Sequence, residues 1–222
     1  EAVQISESTI TTGGSTVTIN DTHDNINHRS ILLDRSLISS GTGPITLGST
    51  TSNIKLWGAS VTSTGGNILL STAGAHNYSA LEIVEYGGPP AVPSLVSTTG
   101  SGTINLSGEL TNYGGSAGSF AGGVSVSGST ISAGSGAITL TGKVGVPSGV
   151  AQPSRGFSLS TGARGTGAGA ISMTGEVGAS ASSGSMGGIV SSGTTIVSSG
   201  GAVSLTGTLN NASISAGTGL SI

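Results

Sequence analysis

Apolar and polar residues alternate with a period of two along most of this chain, in short bursts bounded by glycine. Val124-Ser-Val126, Ile138-Thr-Leu140 and Val203-Ser-Leu205 are examples. A two-residue period marks a β-strand with one buried face. The bursts come in pairs: an aliphatic residue, a small polar stretch with glycine, then a second aliphatic strand. The pairing recurs at Ile10/Val17, Ile38/Ile45, Val61/Ile68, Val96/Ile104, Ile131/Ile138, Leu159/Ile171, Ile196/Val203 and Ile214/Leu220. Helix is nearly excluded by the same residues, since glycine destabilises a helix by about 1 kcal/mol per residue and Ser, Thr and Val are weak helix formers. One unit cannot bury its own apolar side, so the repeat predicts a solenoid whose neighbours stack.

The second strand of each pair sets the register. It reads Gly102-Thr-Ile-Asn-Leu-Ser-Gly108, Gly136-Ala-Ile-Thr-Leu-Thr-Gly142, Gly169-Ala-Ile-Ser-Met-Thr-Gly175 and Gly201-Ala-Val-Ser-Leu-Thr-Gly207. With Val17, Ile45, Ile68, Ile104, Ile138, Ile171, Val203 and Leu220 as markers, the steps are 28, 23, 36, 34, 33, 32 and 17 residues. Constant strands joined by variable segments fit a coiled parallel sheet. A β-propeller would need a period of about 40–45 residues. It would also need hairpin turns of the Asn-Gly or Asp-Gly kind, which are missing. The predicted fold is therefore all-β: a parallel β-helix of about eight rungs, right-handed by the crossover rule. It spans 1–222 as one domain, with insertions at 21–35 and 73–93 and shorter loops near 112–121, 147–155 and 179–186. Rungs about 4.8 Å apart make a rod roughly 35–40 Å long.

The register makes sharp forecasts. Ile104, Ile138, Ile171 and Val203 should stack in one interior column, and Leu106, Leu140, Met173 and Leu205 in the next. Asn105/Ser107, Thr139/Thr141, Ser172/Thr174 and Ser204/Thr206 should form outer polar columns. Past the closing glycine, Lys143 should lie between Glu109 and Glu176, with Thr208 next in line. The glycines themselves are expected to bound the strands where the chain bends.

Composition supports a thin folded core. Glycine is 41 of 222 residues, yet hydrophobic residues reach 34%, charged residues only 7%, and the mean hydropathy is +0.25. Disorder goes with the opposite balance, and collagen would need glycine at every third position. A net charge of −3 with six scattered basic residues argues against nucleic acid or anionic membrane as partner. No apolar run approaches the ~18 residues of a membrane helix, so no membrane insertion is expected. Cysteine is absent, which leaves stability to packing and ladder hydrogen bonds. The chain starts at Glu1 and stops in what looks like mid-strand, and so reads as processed or as a piece of a longer polypeptide.

The repeated GxIxLxG strand, the Ser/Thr/Gly/Ala-rich corners, the lack of cysteine and the low charge together resemble the filamentous-haemagglutinin-like and autotransporter-type passengers of bacterial surface proteins. The resemblance covers nearly the whole chain. It implies a secreted, right-handed β-helix that serves as a stalk or adhesive and carries no catalytic residues.

Few residues carry candidate chemistry. The segment from Asp21 to Arg35 holds His23, Asp24 and His28, whose imidazoles and carboxylate suit a transition metal. Their spacing matches no zinc signature, and the reading preferred for them is a solvated insertion whose polar groups satisfy its own backbone. The second group is Tyr78, Glu82, Glu85 and Tyr86, since aromatics beside carboxylates grip sugars. Glu82 and Glu85 could also form an acid/base pair, although alternation in Leu81-Glu-Ile-Val84 puts Glu82 on an outer strand face. Trp57, the lone tryptophan, is either a binding aromatic or a side chain half covered by a loop.

These features predict a non-enzymatic, secreted or bacterial cell-surface structural or adhesive module with no catalytic residues and no cofactor. Its expected partners are a glycan or surface protein of a host or neighbouring cell, and other copies of itself through end-to-end association. The alternatives are a self-stacking subunit of an extracellular filament, a carbohydrate-active β-helix enzyme, and an ice-binding surface built on the Ser/Thr columns.

Overall fold

The computed structural model describes residues 2–22, 30–75, 79–112, 121–145, 153–178, 185–210 and 218–222. These form 22 strands and no helix, numbered β1–β22 in chain order. Every third strand falls on the same face of a three-sided parallel coil. Face A holds β1 (Val3–Ser6), β4 (Ile31–Asp34), β7 (Ile54–Trp57), β10 (Leu81–Val84), β13 (Ala121–Ser127), β16 (Ser154–Ser160), β19 (Met186–Val190) and β22 (Thr218–Ser221). Face B holds β2 (Thr9–Thr11), β5 (Leu37–Ser39), β8 (Ser60–Ser63), β11 (Leu95–Thr98), β14 (Thr130–Ala133), β17 (Arg164–Gly167) and β20 (Thr195–Ser198). Face C holds β3 (Val17–Asp21), β6 (Ile45–Ser49), β9 (Ile68–Ala75), β12 (Ile104–Asn112), β15 (Ile138–Val144), β18 (Ile171–Val177) and β21 (Val203–Leu209). The parallel β-solenoid expected from the repeat is therefore the fold.

Five aliphatic columns fill the triangle. On face C, Val17, Ile45, Ile68, Ile104, Ile138, Ile171 and Val203 stack in register, and beside them Ile19, Leu47, Leu70, Leu106, Leu140, Met173 and Leu205. Face A contributes two columns, through Ile31, Ile54 and Leu81 and through Leu33, Leu56 and Ile83. Face B contributes one, through Ile38, Val61, Val96 and Ile131. All these middle-rung residues are buried in one core. Fully burying such a side chain stabilises by roughly 1.5–3 kcal/mol, and the parallel ladder repeats that gain at each rung.

Two sequence markers sit on other faces. Leu220 lies on face A, in line with Gly188; a step of 17 residues is too short for a full turn. Leu159 lies on face A beside Val126, and the face B position of that rung is Gly165, which pairs with Ile131. Unbranched Met173 compensates: a Cβ on Gly165 would lie 3.3 Å from its Cε. Phe157 and Gly188 make a similar large–small pair, with the Phe157 ring occupying the space a Gly188 side chain would need. Both compensations keep the core dense where the aliphatic repeat lapses.

The closing glycines do not end the strands, as the sequence suggested. Gly108, Gly142, Gly175 and Gly207 lie inside β12, β15, β18 and β21. A Cβ on any of them would overlap the carbonyl oxygen of Gly123, Gly156, Gly187 or Gly219, respectively, on face A. The two glycine columns thus let faces A and C meet backbone to backbone. Beyond this pinch the long strands continue, and Leu110, Val144 and Val177 bury with Ala80 in a second, smaller apolar cluster. A third column, Gly43, Gly66, Gly102, Gly136 and Gly169, lines the turn between faces B and C, each nested on the main chain of the rung before it.

Corner serines satisfy the turns. Between faces A and B, Ser94 Oγ donates to the Val84 carbonyl at 2.7 Å and accepts from the Ala59 N–H at 3.1 Å. Ser129 repeats this with Ser127 and Ser94 at 2.8 and 3.3 Å. Between faces B and C, Ser63 Oγ donates to Gly41 and accepts from Gly66, both at 2.8 Å. These contacts explain why the corners are Ser/Thr-rich: a buried backbone group needs a partner where the ladder is broken.

The outer columns follow the expected register, including Glu109, Lys143, Glu176 and Thr208. Lys143 Nζ lies 3.2 Å from Glu109, and the Glu109 hydrogen bond and charge, then the Glu176 charge, raise its pKa. The hydroxyl column on face C is interrupted by Leu69, 38% exposed, between Thr46 and Asn105.

Connections from face C to face A carry most of the added length, as at residues 113–120 and 145–153, while those from face A to face B are two to four residues long except at 85–94. The insertion expected at 21–35 contains strand β4, and that at 73–93 contains the end of β9 and all of β10. Ile31, Leu33, Leu81 and Ile83 give these segments the inward period of a rung.

Two stability outcomes follow from this packing. Gly136→Ala should destabilise by about 1–3 kcal/mol, the usual cost of overpacking, whereas Gly13→Ala, with nothing within 4 Å of the new Cβ, should leave the denaturation midpoint nearly unchanged. In a double-mutant cycle, Gly188→Ala and Phe157→Leu should each destabilise, and the double variant should lose less than the sum. Strict additivity in urea titrations would contradict the proposed pairing.

Candidate functional site

In five of the seven turns the chain leaves face A through a tight corner whose first residue has a left-handed backbone: Glu7, Arg35, Gly58, Gly128 and Thr161 have φ of 48°, 46°, 62°, 57° and 48°. The ladder continues through this corner, with Glu7 N–H donating to Asp34, Arg35 to Trp57 and Gly58 to Val84 at 2.9, 2.9 and 3.0 Å. The rung of β10 alone expands here, with ten residues, 85–94, between β10 and β11. They form a hairpin closed by Tyr86 and Val92, whose main chains exchange hydrogen bonds at 2.8 and 3.1 Å. Gly87, Gly88, Pro89 and Pro90 make its tip.

The hairpin folds back over Gly58. A Cβ there would lie 2.7 Å from Tyr86 Cβ and 3.3 Å from Val92 Cβ, so Gly58 supplies both the left-handed turn and the room for Tyr86. The Tyr86 ring then packs on Trp57, centroids 4.9 Å apart and planes at 52°, a tilted pair contributing about 0.5–1.5 kcal/mol beyond burial. Cations flank the pair: Lys55 Nζ lies 5.3 Å from the Trp57 ring and the Arg35 guanidinium 4.6 Å from the Tyr86 ring.

Carboxylates hold the cations. Arg35 reaches Glu7 at 2.6 Å and Asp34 at 3.1 Å; the Asp34 hydrogen bond, against some desolvation, raises its pKa further. Lys55 pairs with Glu82 at 3.3 Å across adjacent strands, both side chains largely covered at 17% and 14% exposure. Glu85 lies over Gly128 at the next corner. The cluster gathers Glu7, Asp34, Arg35, Lys55 and Glu82, five of the chain's 15 charged residues, around its lone tryptophan. In a chain so poor in charge this is the densest chemistry on the described surface.

Three of the expected binding residues, Trp57, Glu82 and Tyr86, are thus brought to one corner, with Trp57 half-buried beneath the hairpin. Glu82 and Glu85 have different neighbours, Lys55 and Gly128. Tyr78, His23, Asp24 and His28 lie outside the described residues. Among the described residues no group of three His, Asp or Glu side chains is placed to hold a metal. A depression of about 270 Å³ beside Asn20, Asp21, Thr22 and Ser49 immediately precedes the His23 segment in sequence. Sequence reasoning missed Glu7, Lys55 and Gly58, and grouped Asp34 and Arg35 with the His23 segment, whereas they pair beside Trp57 and Tyr86. A signal was present: aligning Ile54-Lys-Leu-Trp57 with Leu81-Glu-Ile-Val84 puts Lys55 opposite Glu82.

Gly58→Ala should strain the corner and displace Tyr86. The expected readout is a red-shifted, more quenchable Trp57 emission with the solenoid's far-ultraviolet circular dichroism retained. Unchanged emission would mean that Gly58 does not seat the hairpin.

No protein-family model, curated protein or solved structure matches this chain.

Proposed function

We propose that this chain is a non-enzymatic binding module of a secreted or cell-surface protein, an adhesin-type stalk whose solenoid presents the Trp57–Tyr86 corner to a glycan. The observation that carries this reading is the ten-residue expansion of a single corner, folded onto the only tryptophan and flanked by paired charges. A stalk needs only tight corners; an aromatic platform with Lys55, Glu82, Arg35 and Asp34 at its rim supplies an apolar ring face together with hydrogen-bonding groups. Sugars require both, a flat apolar surface for their C–H face and polar partners for their hydroxyls. Lys55 and Glu82 hold each other in place, so the site is ordered before a ligand arrives, which limits the entropy lost on binding. The secreted, surface-exposed setting is carried by the resemblance to β-helical passengers alone.

The test is a glycan array followed by calorimetry on the best hit. The wild-type chain should bind at least one glycan class, and Trp57→Ala should weaken that binding about tenfold or more, as expected for a central aromatic anchor. Retained affinity in Trp57→Ala would move the site elsewhere.

A second reading, end-to-end stacking into an extracellular filament, draws on one observation: Val203, at an inward position in the last described strand of face C, is 46% exposed. Strand edges with apolar side chains are templates for a further rung. Sedimentation velocity over a hundredfold concentration range should show growing species if copies stack, and a constant monomer if they do not.

A further inference from the structure

The ladder fastens the hairpin at 85–94 to the solenoid only at its two ends. Glu85 N–H donates to the Ser127 carbonyl at 3.1 Å, and Leu95 N–H to the Ala59 carbonyl at 2.9 Å. Ser94 Oγ closes the base on the Val84 carbonyl at 2.7 Å. Between these points, among the described residues, the main-chain bonds are the two that Tyr86 and Val92 give each other. No ladder bond ties 86–93 to a neighbouring rung, so this stretch can leave the corner as a unit without breaking one.

Side chains alone hold it down. Tyr86 rests on Trp57, with ring centroids 4.9 Å apart. Val92 sits beside Gly58, where a Cβ would lie 3.3 Å from its own. The tip adds no anchor: a Cβ on Gly87 would meet nothing within 4 Å, and one on Gly88 would fall against the ring of Tyr86 itself.

The remaining hold is electrostatic. Arg35 lies 4.6 Å from the Tyr86 ring centroid. Its guanidinium is gripped by Glu7 from the preceding rung at 2.6 Å and by Asp34 at 3.1 Å. Register explains the placement. The corner column runs Glu7, Arg35, Gly58, and each N–H donates to the face A carbonyl of the following rung, at Asp34, Trp57 and Val84. Arg35 therefore stands one rung from the gap that Tyr86 fills. The Arg35 and Glu7 side chains are 36% and 63% exposed, so added salt screens their attraction.

We propose that the 85–94 hairpin is a lid over Trp57, latched by Arg35, and that its opening frees the indole for a ligand. Tyr86 stands where a sugar ring would stack, so the closed lid is an autoinhibitory contact. The proposal rests on the reading of Trp57 as the binding aromatic and adds the control of that site by ionic strength.

The test is acrylamide quenching of Trp57 fluorescence in the whole chain without ligand, from low salt to about 1 M sodium chloride. Tyr86→Ala sets the open value. Arg35→Gln should raise the open population about two- to fivefold, the effect of losing an exposed ion pair, and the quenching constant with it. Salt should move the wild type toward Arg35→Gln and leave Arg35→Gln where it is. Glu7→Gln, a change at an exposed side chain, should give a partial rise and decides the matter if Arg35→Gln does not fold. Hydrogen exchange at the Gly58 and Leu95 amides, both ladder donors, should stay equally slow throughout. Quenching that responds neither to salt nor to Arg35→Gln would overturn the latch. Loss of Gly58 and Leu95 protection in step with quenching would overturn the lid, since the whole corner would then be unfolding. Neither readout contains a glycan: if the latch holds while the glycan array finds no ligand, the lid stands and the binding role of Trp57 falls.

Discussion

Everything in this molecule depends on how closely two main chains can approach where a side chain would keep them apart. Rungs of a parallel coil sit at β-spacing, and at its corners carbonyls of one rung press on the next. The glycine column from Gly43 to Gly169 accepts that contact. A second set, Gly108, Gly142, Gly175 and Gly207 against Gly123, Gly156, Gly187 and Gly219, extends the same contact to two whole faces. Glycine is entropically expensive to order, so its abundance here is meaningful only because close approach is required. The aliphatic columns return that free energy rung by rung, and corner serines such as Ser94 and Ser129 keep the interrupted backbone satisfied.

The same constraint builds the candidate site. Corners between faces A and B are kept to a few residues by the ladder, so an expansion there stands out physically as well as in sequence. Gly58 leaves the gap that Tyr86 fills over Trp57. Gly122 leaves the gap beside Arg155 on the same face. Missing side chains on a regular ladder thus seat the hairpin at one place and leave a cavity at another. Regular stacking also brings together charges far apart in sequence, Glu7 with Arg35 and Lys55 with Glu82.

The fold was legible because inward and outward residues alternate so cleanly. Ile104, Ile138, Ile171 and Val203 share a register that their flanking glycines alone indicate. Where the reading slipped, local pattern and three-dimensional role had parted. Leu159 and Leu220 carry the right chemistry on the wrong face, since one turn contains three strands and the repeat shows two. Gly142 looks like a strand end because glycine usually bends a chain, while its actual role, contact with Gly156 on another face, lies outside any local window. The segments 21–35 and 73–93 look irregular because long connections flank single strands. Trp57, Glu82 and Tyr86 were recognisable as scarce residue types; Arg35 and Gly58 matter through their place in a corner column, which only the full register reveals.

The lone tryptophan permits the most direct test of the account. Its indole N–H gives a single resonance in a ¹⁵N-labelled sample, assigned by its loss in Trp57→Phe. The account predicts that titration with a bound oligosaccharide shifts this resonance in proportion to the saturation measured by calorimetry. A resonance that stays fixed while the glycan binds would place recognition away from the Trp57–Tyr86 corner and contradict the central claim.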